Sequence, residues 1–247
     1  DLKNPELTLK KYKREFNIKI CKSKKKLTVS ETRNLMIKSA LQLNGDVIIF
    51  IDMDDILLRD SINNHLEALK NAMISYADMK IINEKKIPLN YTLFEGNNVP
   101  NQVYDHKVLL YRNFFGLTNT ALKVNAFKYI KVVPSHLKAT DWWLFTNLLY
   151  DGCKAKKTKQ PIGLYRQHKS NILGYKKITS IKNFIYRCQL AEDHFTALPK
   201  DKDFDKALEK VINIKNLAVT NPGYIIKKLK ARNVSPNLWF SELFDIY

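Results

Sequence analysis

The sequence predicts an α/β fold in which mostly parallel strands form a sheet with helices on both faces. Strand-like and helix-like segments alternate through roughly the first 170 residues. Residues 47–51 form an uninterrupted apolar run rich in β-branched side chains, which is typical of a buried central strand. From about residue 175 the pattern is helical, so a helical extension is expected to follow the α/β part.

Apolar periodicity and helix-terminating residues predict the individual elements. Helices are expected at 5–16, 30–44, 61–75, 124–130 and 141–149, and strands at 18–21, 47–51, 77–82 and 163–165. The polar stretch 84–105, with Asn97, Asn98 and Pro100, predicts a mobile loop. Apolar stripes at helical spacing predict three more helices at 180–195, 204–219 and 224–231.

Size and cysteine usage limit the class of protein. A chain of 247 residues, 45% of them hydrophobic, can bury the core of one α/β domain with an appendage. No apolar run approaches the roughly 20 residues that span a bilayer. Cys21, Cys153 and Cys188 are widely spaced, which argues against a disulfide framework or a zinc site. A reducing, cytoplasmic location is expected, because no signal-peptide pattern follows Asp1.

The net charge of +18 predicts an anionic partner or surface. Lysines are concentrated at 10–26, 154–159 and 227–232. Nucleic acid is not favoured, because the sequence has no nucleic-acid-binding motif and no arginine-rich or aromatic-interleaved segment. A surface that faces phosphate or membrane is one interpretation. A lysine bias that reflects only an AT-rich genome is the other.

Three carboxylates, Asp52, Asp54 and Asp55, follow the predicted central strand. In open α/β sheets, ligands bind beyond the carboxyl ends of the strands. Carboxylates crowded there repel one another unless a cation joins them. Because Mg²⁺ and Mn²⁺ prefer oxygen ligands and share them with substrate phosphates, the spacing favours a divalent metal ion with a phosphorylated ligand. The alternative is a strand end that turns into solvent, with Asp54 or Asp55 capping the next helix.

Four short motifs occur in an order that resembles a known family. They are Ser-Glu-Thr-Arg-Asn at 30–34, Asp-Met-Asp-Asp at 52–55, Thr-Asp-Trp-Trp at 140–143 and Tyr-Arg-Gln-His-Lys-Ser-Asn at 165–171. Together they resemble the bacterial family 2 glycosyltransferases, which have the A-type nucleotide-diphospho-sugar transferase fold, a Rossmann-like three-layer αβα arrangement. The resemblance implies a catalytic domain over residues 1–172, with 173–247 as a helical C-terminal extension outside it.

The resemblance implies an inverting transfer of a sugar from a nucleotide-diphosphate donor to a glycan or lipid-linked acceptor hydroxyl in surface polysaccharide synthesis. Asp141 matches the catalytic base, since one carboxylate opposite the leaving group suffices; the alternative is that Thr140 and Asp141 only begin a helix. The remaining roles are expected as follows: Mn²⁺ or Mg²⁺ on Asp54, Asp52 and His168; donor contacts from Arg33, Asn34, Asp52, Asp55 and Arg166; and acceptor contacts from one of Trp142 and Trp143.

Two features depart from the family pattern. The family begins with two strands that hold the nucleoside, whereas this sequence passes directly from Asp1 into the helix that would follow them. Those strands are therefore expected to be missing from the chain. The second departure is Thr140, which stands where the family usually has Glu before the catalytic Asp.

Two other function classes remain open. An apolar strand that ends in Asp-X-Asp also resembles the first motif of haloacid-dehalogenase-type phosphatases, where Asp52 would be the nucleophile and Asp54 the general acid. Against this, Ile56 stands where that family has Thr or Val, and no later Gly-Asp-X-X-Asp motif is present. The third class is a non-catalytic module that binds a glycan or lipid.

The C-terminal third allows two interpretations. The basic segment 227–232 precedes an apolar segment at 238–244 that contains Trp239 and Phe240. The segment packs on the catalytic part or on a second subunit of a homo-oligomer, or it attaches the protein to the anionic inner face of the plasma membrane. In the second case lysines would contact headgroups and aromatic side chains would insert at the interface.

Overall fold

The computed structural model describes residues 9–12, 15–168, 178, 180–231 and 238–246. The helices are α1 (Val29–Leu41), α2 (Ser61–Leu69), α3 (Thr140–Tyr150), α4 (Ile181–Thr196), α5 (Lys202–Thr220), α6 (Pro222–Ala231) and α7 (Ser241–Phe244). The strands are β1 (Val47–Ile49), β2 (Ile56–Leu57), β3 (Ile74–Tyr76), β4 (Met79–Ile82), β5 (Pro88–Thr92), β6 (Gln102–Val103), β7 (Thr120–Lys123), β8 (Ala155–Lys157) and β9 (Gly163–Arg166). Most of the predicted 5–16 helix and the end of the 165–171 motif lie outside the described residues.

The α/β prediction is confirmed, and the strands form two sheets. The larger sheet has the order β1-β7-β3-β8-β6 and the smaller one β2-β9-β4-β5. Among the described strands, β3 pairs in parallel with β8 and β4 with β9, whereas the other neighbours are antiparallel. The expectation of mostly parallel strands is therefore wrong. β7 lies between β1 and β3 and runs antiparallel to both. No crossover helix therefore joins it to a parallel neighbour.

The predicted central strand β1 lies at an edge of the described sheet. It pairs with β7 on one side, with Ile48 opposite Leu122, and no described strand lies on its other side. Ile48 and Phe50 are buried, whereas Ile51 is 43% exposed. The prediction of a fully buried run therefore holds at only two of the five positions, and apolarity could not indicate which neighbours the strand has. The strands that the resemblance places before β1 stay a prediction.

Three other segments differ from their predicted structure. Residues 18–21 form no strand, and in the other two segments long-range pairing overrides local pattern. The helical pattern at 61–75 continues to residue 75, yet α2 ends at Leu69 and β3 begins at Ile74. All three residues of β3 are buried between β7 and β8. The predicted loop 84–105 contains β5 and β6, which pair with β4 and β8. Their polar composition reflects positions near the rim of each sheet.

Helix α1 is fixed in position by its first turns. Thr28 and Glu31 form a capping box, in which the Thr28 hydroxyl accepts from Glu31 N at 3.2 Å and Glu31 Oε2 accepts from Thr28 N at 2.8 Å. The buried Ser30 hydroxyl donates to the carbonyl of Leu137, which precedes α3. These contacts hold the two helix N-termini side by side, beyond the end of β1.

The C-terminal residues form helices that pack on the α/β part. The expected helices correspond to α4, α5 and α6, after which residues 238–246 return to the core. Leu238, Phe240 and Leu243 are fully buried, so the expectation that these apolar residues insert into a membrane is wrong. No helix among the described residues combines the length and the apolarity required to cross a bilayer.

Candidate active site

A cavity of about 420 Å³ lies beyond the carboxyl end of β1. A volume of this size is within the ~300–1,000 Å³ range of small-molecule sites. Most of its lining comes from six separate parts of the chain: 27–33, 52–55, 113–119, 138–142, 165–168 and 239–240; Met79 and Leu93 complete it. The four motifs that carry the resemblance therefore meet at one cavity, together with two segments that no motif predicted.

The turn after β1 is held by hydrogen bonds to neighbouring strands. Asp52 N donates to the Thr118 hydroxyl at 2.9 Å, and Asp55 Oδ1 accepts from Arg166 N at 3.0 Å. Burial raises the pKa of Asp55 to about 6, against the opposing effect of the bonds from Arg166 and Thr118. Asp55 therefore ties the turn to β9, and its backbone partner in Arg166 gives it a structural role in addition to the expected donor contact.

Asp54 and His168 meet at the mouth of the cavity. Asp54 Oδ2 lies 2.6 Å from His168 Nε2, and both side chains remain partly exposed. The two residues are 114 positions apart, so the contact depends on β2 and β9 lying side by side. A carboxylate oxygen and an imidazole nitrogen thus converge at one point facing the cavity.

Arg33 joins the first carboxylate of the turn to the candidate base. Its Nη1 donates to Asp52 Oδ1 at 3.0 Å, and its Nε lies 3.5 Å from Asp141 Oδ1. The guanidinium is 15% exposed. Burial by itself would lower the pKa of Arg33, but the charges of Asp141 and Asp52 outweigh it and raise this pKa. Arg33 is therefore a fixed cation between two carboxylates.

Asp141 lies in the first turn of α3 and faces the cavity. Its Oδ2 accepts from Leu117 N at 3.2 Å, and its Oδ1 accepts from the Thr140 hydroxyl at 3.1 Å. Burial raises the pKa of Asp141, and the charge of Arg33 opposes this shift. Thr140 and Asp141 do begin α3, as the alternative expects, but the N-cap is Ala139, so Thr140 does not cap the helix.

The donor atoms at the cavity mouth fit a divalent metal ion in part. Asp54 and His168 offer one oxygen and one nitrogen, which hydrogen-bond to each other at 2.6 Å, and Mg²⁺ or Mn²⁺ commonly takes one or two protein ligands plus substrate phosphates and water. Asp52 instead accepts from Arg33, so the expected three-ligand set is not brought together. Residues 54 and 168 are therefore the pair that would hold the ion.

Another group of possible ligands lies outside the cavity. Among the described residues, the one set of three His, Cys or carboxylate side chains with ligand atoms all within 4.8 Å is His106, Asp201 and Asp203. Asp203 Oδ2 lies 3.4 Å from Lys107 Nζ, and Asp201 caps α5 by accepting from Asp203 N at 2.8 Å. Both carboxylates are thus already satisfied by local partners.

Three predicted contacts are corrected by the structure. Asn34 exchanges two hydrogen bonds of 2.9 Å with the backbone of Val133, so it braces α1 and does not face a donor. Trp142 and Trp143 are 1% and 3% exposed, and their Nε1 atoms donate to the carbonyls of Leu109 and Ala197. Neither ring presents a free face to an acceptor, because α3 is buried on nearly all sides.

An aromatic wall also lines the cavity, and the motifs did not include its residues Trp239 and Phe240. It consists of Tyr165, Trp239 and Phe240, with the buried Trp142 behind them. The rings of Tyr165 and Trp239 meet edge to face at 6.2 Å. No local signal distinguished Trp239 from the apolar residues around it in the sequence. Only the fold identifies Trp239 as a cavity residue, because it brings residues 238–246 back to the cavity.

Comparisons with known proteins place the fold. No protein-family model and no curated protein sequence matches the chain. The crystal structure of S. aureus TarS 1–349 in complex with UDP-GlcNAc matches with a TM-score of 0.53 and 14% identity, covering 94% of this chain and 65% of that chain. The chain has a glycosyltransferase fold of the A type.

A second solved structure is the mannosyltransferase PcManGT from Pyrobaculum calidifontis in complex with GDP-Man and Mn²⁺. It matches with a TM-score of 0.48 and 14% identity, covering 88% of this chain and 58% of that chain. The chain thus spans less than two thirds of the length of each of these structures.

Proposed function

We propose that this chain carries the core of a family 2, inverting, metal-dependent glycosyltransferase. It transfers a sugar from a nucleotide-diphosphate donor to a hydroxyl of a glycan or lipid-linked acceptor in surface polysaccharide synthesis. The observation that carries the proposal is the position of Arg33, which links Asp52 and Asp141 inside the cavity that also contains the Asp54–His168 pair. The fold shared with TarS, whose structure contains UDP-GlcNAc, supports a nucleotide-sugar donor.

The reaction assigned to the cavity is a single displacement. Asp141 accepts the proton of the acceptor hydroxyl while that oxygen bonds to the anomeric carbon, and the bond from this carbon to the diphosphate breaks. Arg33 orients the Asp141 carboxylate, and its charge opposes the rise in the pKa of Asp141 that burial causes. A metal ion held by Asp54 and His168 would neutralise charge on the leaving diphosphate. Lys138, which lines the cavity and is exposed, adds a further positive charge near it.

Nucleotide release from a panel of UDP- and GDP-sugars, with Mn²⁺, Mg²⁺ or EDTA, tests the proposal. Asp141→Asn should lower transfer by roughly 10²–10⁴-fold and leave donor binding within about twofold, because only proton transfer is lost. Asp54→Asn should weaken metal-dependent donor binding. Asp60→Asn is the matched control, since Asp60 is exposed, lies outside the cavity and makes no side-chain cap.

The same assay separates the other function classes. Release of phosphate from p-nitrophenyl phosphate without turnover of any sugar nucleotide would support the phosphatase with Asp52 as nucleophile. Absence of both activities would support a non-catalytic module. Full donor turnover by Asp54→Asn would remove the metal site from the proposal, and equal loss of binding and transfer in Asp141→Asn would make Asp141 structural.

We also propose peripheral attachment to the inner face of the plasma membrane through α6. Ile225 and Leu229 are buried on this helix, whereas Lys227, Lys228 and Lys230 are exposed. Each basic residue near anionic headgroups contributes about 1 kcal/mol to binding. Co-sedimentation with anionic but not neutral vesicles, lost when the three lysines become Gln, is the expected result. Binding that ignores lipid charge contradicts the attachment.

A further inference from the structure

The segment 238–246 buries the residues on both sides of Trp239 but not Trp239 itself. Leu238 and Phe240 are fully buried, whereas Trp239 is only half-buried and lines the cavity. A tryptophan kept out of the core beside two buried apolar neighbours leaves a large apolar surface facing the cavity. Such a surface inside a polar site is suited to bind the apolar face of a ligand.

Contacts on both sides hold this residue in place. The Trp239 carbonyl accepts from Asn113 N at 2.8 Å, so the segment is tied to the loop before β7. The next residue, Phe240, has a left-handed backbone with φ of 71°, and its ring stacks on Trp142 at 4.4 Å. Non-glycine residues adopt that conformation at a cost and only where the surroundings impose it. The orientation of the indole is therefore set by the fold.

The indole lies close to the candidate base. A Cβ atom on Gly116 would lie 3.4 Å from Trp239 Cη2, so the benzene end of the indole passes directly over this glycine. The following residue, Leu117, donates its N–H to Asp141 Oδ2 at 3.2 Å. Gly116 therefore lies against the Trp239 indole, and the next residue, Leu117, hydrogen-bonds to the Asp141 carboxylate. A ligand lying against the indole would have its hydroxyls beside Asp141.

We propose that Trp239 is the platform on which a pyranose ring of the acceptor stacks. The inference rests on the proposed function, because it places the acceptor hydroxyl at Asp141. One face of a pyranose presents C–H groups that pack on an indole, whereas an acyclic polyol presents no such flat face. The acceptor is therefore a sugar residue of a glycan, and the buried Trp142 and Trp143 do not contact it.

Intrinsic fluorescence tests the binding directly, without turnover. Because Trp142 and Trp143 are almost fully buried, a sugar-dependent change should come from Trp239. The probes are the methyl glycosides of glucose, galactose, mannose and N-acetylglucosamine, with sorbitol as the acyclic comparison. We expect at least one pyranoside to change the fluorescence of the wild-type protein and sorbitol to leave it unchanged. Trp239→Phe should abolish the change, with the buried tryptophans left as internal reference.

Steady-state transfer supplies the second readout. Trp239→Ala should raise the KM for the accepted pyranoside by about 10–100-fold, corresponding to the ~1–3 kcal/mol of a lost aromatic stack. Donor affinity and the rate of donor hydrolysis should stay within about twofold, which also shows that the variant is folded. Trp239→Phe should restore part of the affinity. Tyr104→Ala is the control, because Tyr104 is 61% exposed and outside the cavity.

The outcomes separate this inference from the proposed function. Donor turnover with an unchanged pyranoside KM in Trp239→Ala overturns the platform and leaves the glycosyltransferase assignment intact. Pyranoside binding that depends on Trp239, without turnover of any donor, contradicts the proposed glycosyltransferase function and supports Trp239 as a sugar-binding platform. A wild-type protein whose fluorescence and transfer ignore every pyranoside tested overturns the platform as well.

Discussion

The two walls of the cavity are built in different ways. The polar wall, formed by Arg33, Asp54, Asp141 and His168, is held by charged contacts between short motifs. The aromatic wall, formed by Tyr165, Trp239 and Phe240, is held by packing and by a chain segment that returns from the C-terminal helices. In the proposed reaction the first wall supplies the charged groups, and the second supplies an apolar surface.

This difference predicts that substitutions in the two walls affect different properties of the protein. Changes in the polar wall should alter rate and pH dependence with little effect on stability, since its side chains are partly exposed. Changes behind the aromatic wall should alter stability first, because that wall rests on buried residues. The predictions that follow test this separation, beginning with the largest expected effect.

The ion pair between Arg187 and Glu242 should be the strongest single support of the aromatic wall. Arg187 Nη1 lies 2.5 Å from Glu242 Oε1, with the two side chains 14% and 6% exposed. Glu242→Gln removes the buried carboxylate charge that faces the Arg187 guanidinium, so the free energy of unfolding should fall by about 3 kcal/mol. Urea denaturation followed by circular dichroism measures the change.

The matched control is Glu67→Gln, which breaks an exposed ion pair with Lys70. Solvent screens that pair, so the stability of the control should be almost unchanged. Combining Glu242→Gln with Arg187→Met should recover most of the loss, because the buried charge is then absent as well. Equal stability of Glu242→Gln and wild type would show that the pair does not support the wall.

Arg33→Gln should be the most damaging change in the polar wall that leaves every carboxylate in place. It removes a charge-assisted contact worth ~1.5–3 kcal/mol, so transfer at pH 7 should fall by about 10–100-fold. The pKa of Asp141 is raised by burial and lowered by Arg33, so the variant should have a still higher pKa. Asp141 is then ionised only at higher pH, so the acid limb of the pH–rate profile should move to higher pH.

The control for this variant is Arg59→Gln, because Arg59 is exposed and outside the cavity. It removes the same charge and should keep the wild-type profile. An Arg33→Gln profile that is lower but not displaced along the pH axis would show that Arg33 positions the donor without acting on Asp141.

The polar wall could be predicted from the sequence, whereas of the aromatic wall only Tyr165 stands in a motif. Asp54 and His168 are 114 positions apart, yet each stands in a short motif with its own chemical logic. Trp239 lies in an apolar segment, and its sequence does not distinguish it from its neighbours. In the structure, the left-handed backbone at Phe240 sets Trp239 apart from them. Asn34 shows the reverse error, since a motif residue was assigned to the donor but hydrogen-bonds the backbone of Val133.

The same limit applies to the fold. Local pattern located α1 and β1 well, because a capping box and an apolar run are signals within a few residues. It failed for β3 and β5, whose strand structure depends on partners far away in the chain. Strand direction and order also depend on such partners, so the antiparallel position of β1 at the sheet edge was not accessible from its sequence.

The smallest expected effect concerns a histidine behind the aromatic wall. His194 is fully buried and stacks on Trp142, with ring centres 3.8 Å apart and planes inclined by 8°. Neither ring nitrogen has a hydrogen-bond partner among the described residues, and burial lowers the pKa of His194 well below its usual value. The folded protein therefore keeps this ring neutral, which favours a stable aromatic stack.

Acidification should weaken this wall through the unfolded state. An unfolded histidine takes up a proton below about pH 6.5 while the buried ring does not, so the contribution of His194 is complete above that pH and is lost as pH falls. Between pH 7.5 and 5.5 the loss should be about 1 kcal/mol in the free energy of unfolding. His194→Phe keeps the stack without a titrating group and should reduce the loss by that amount. His65→Gln should reduce it similarly without touching the wall, because burial lowers the pKa of His65 to about 4. The same acid loss in His194→Phe as in wild type would contradict a neutral histidine behind Trp142.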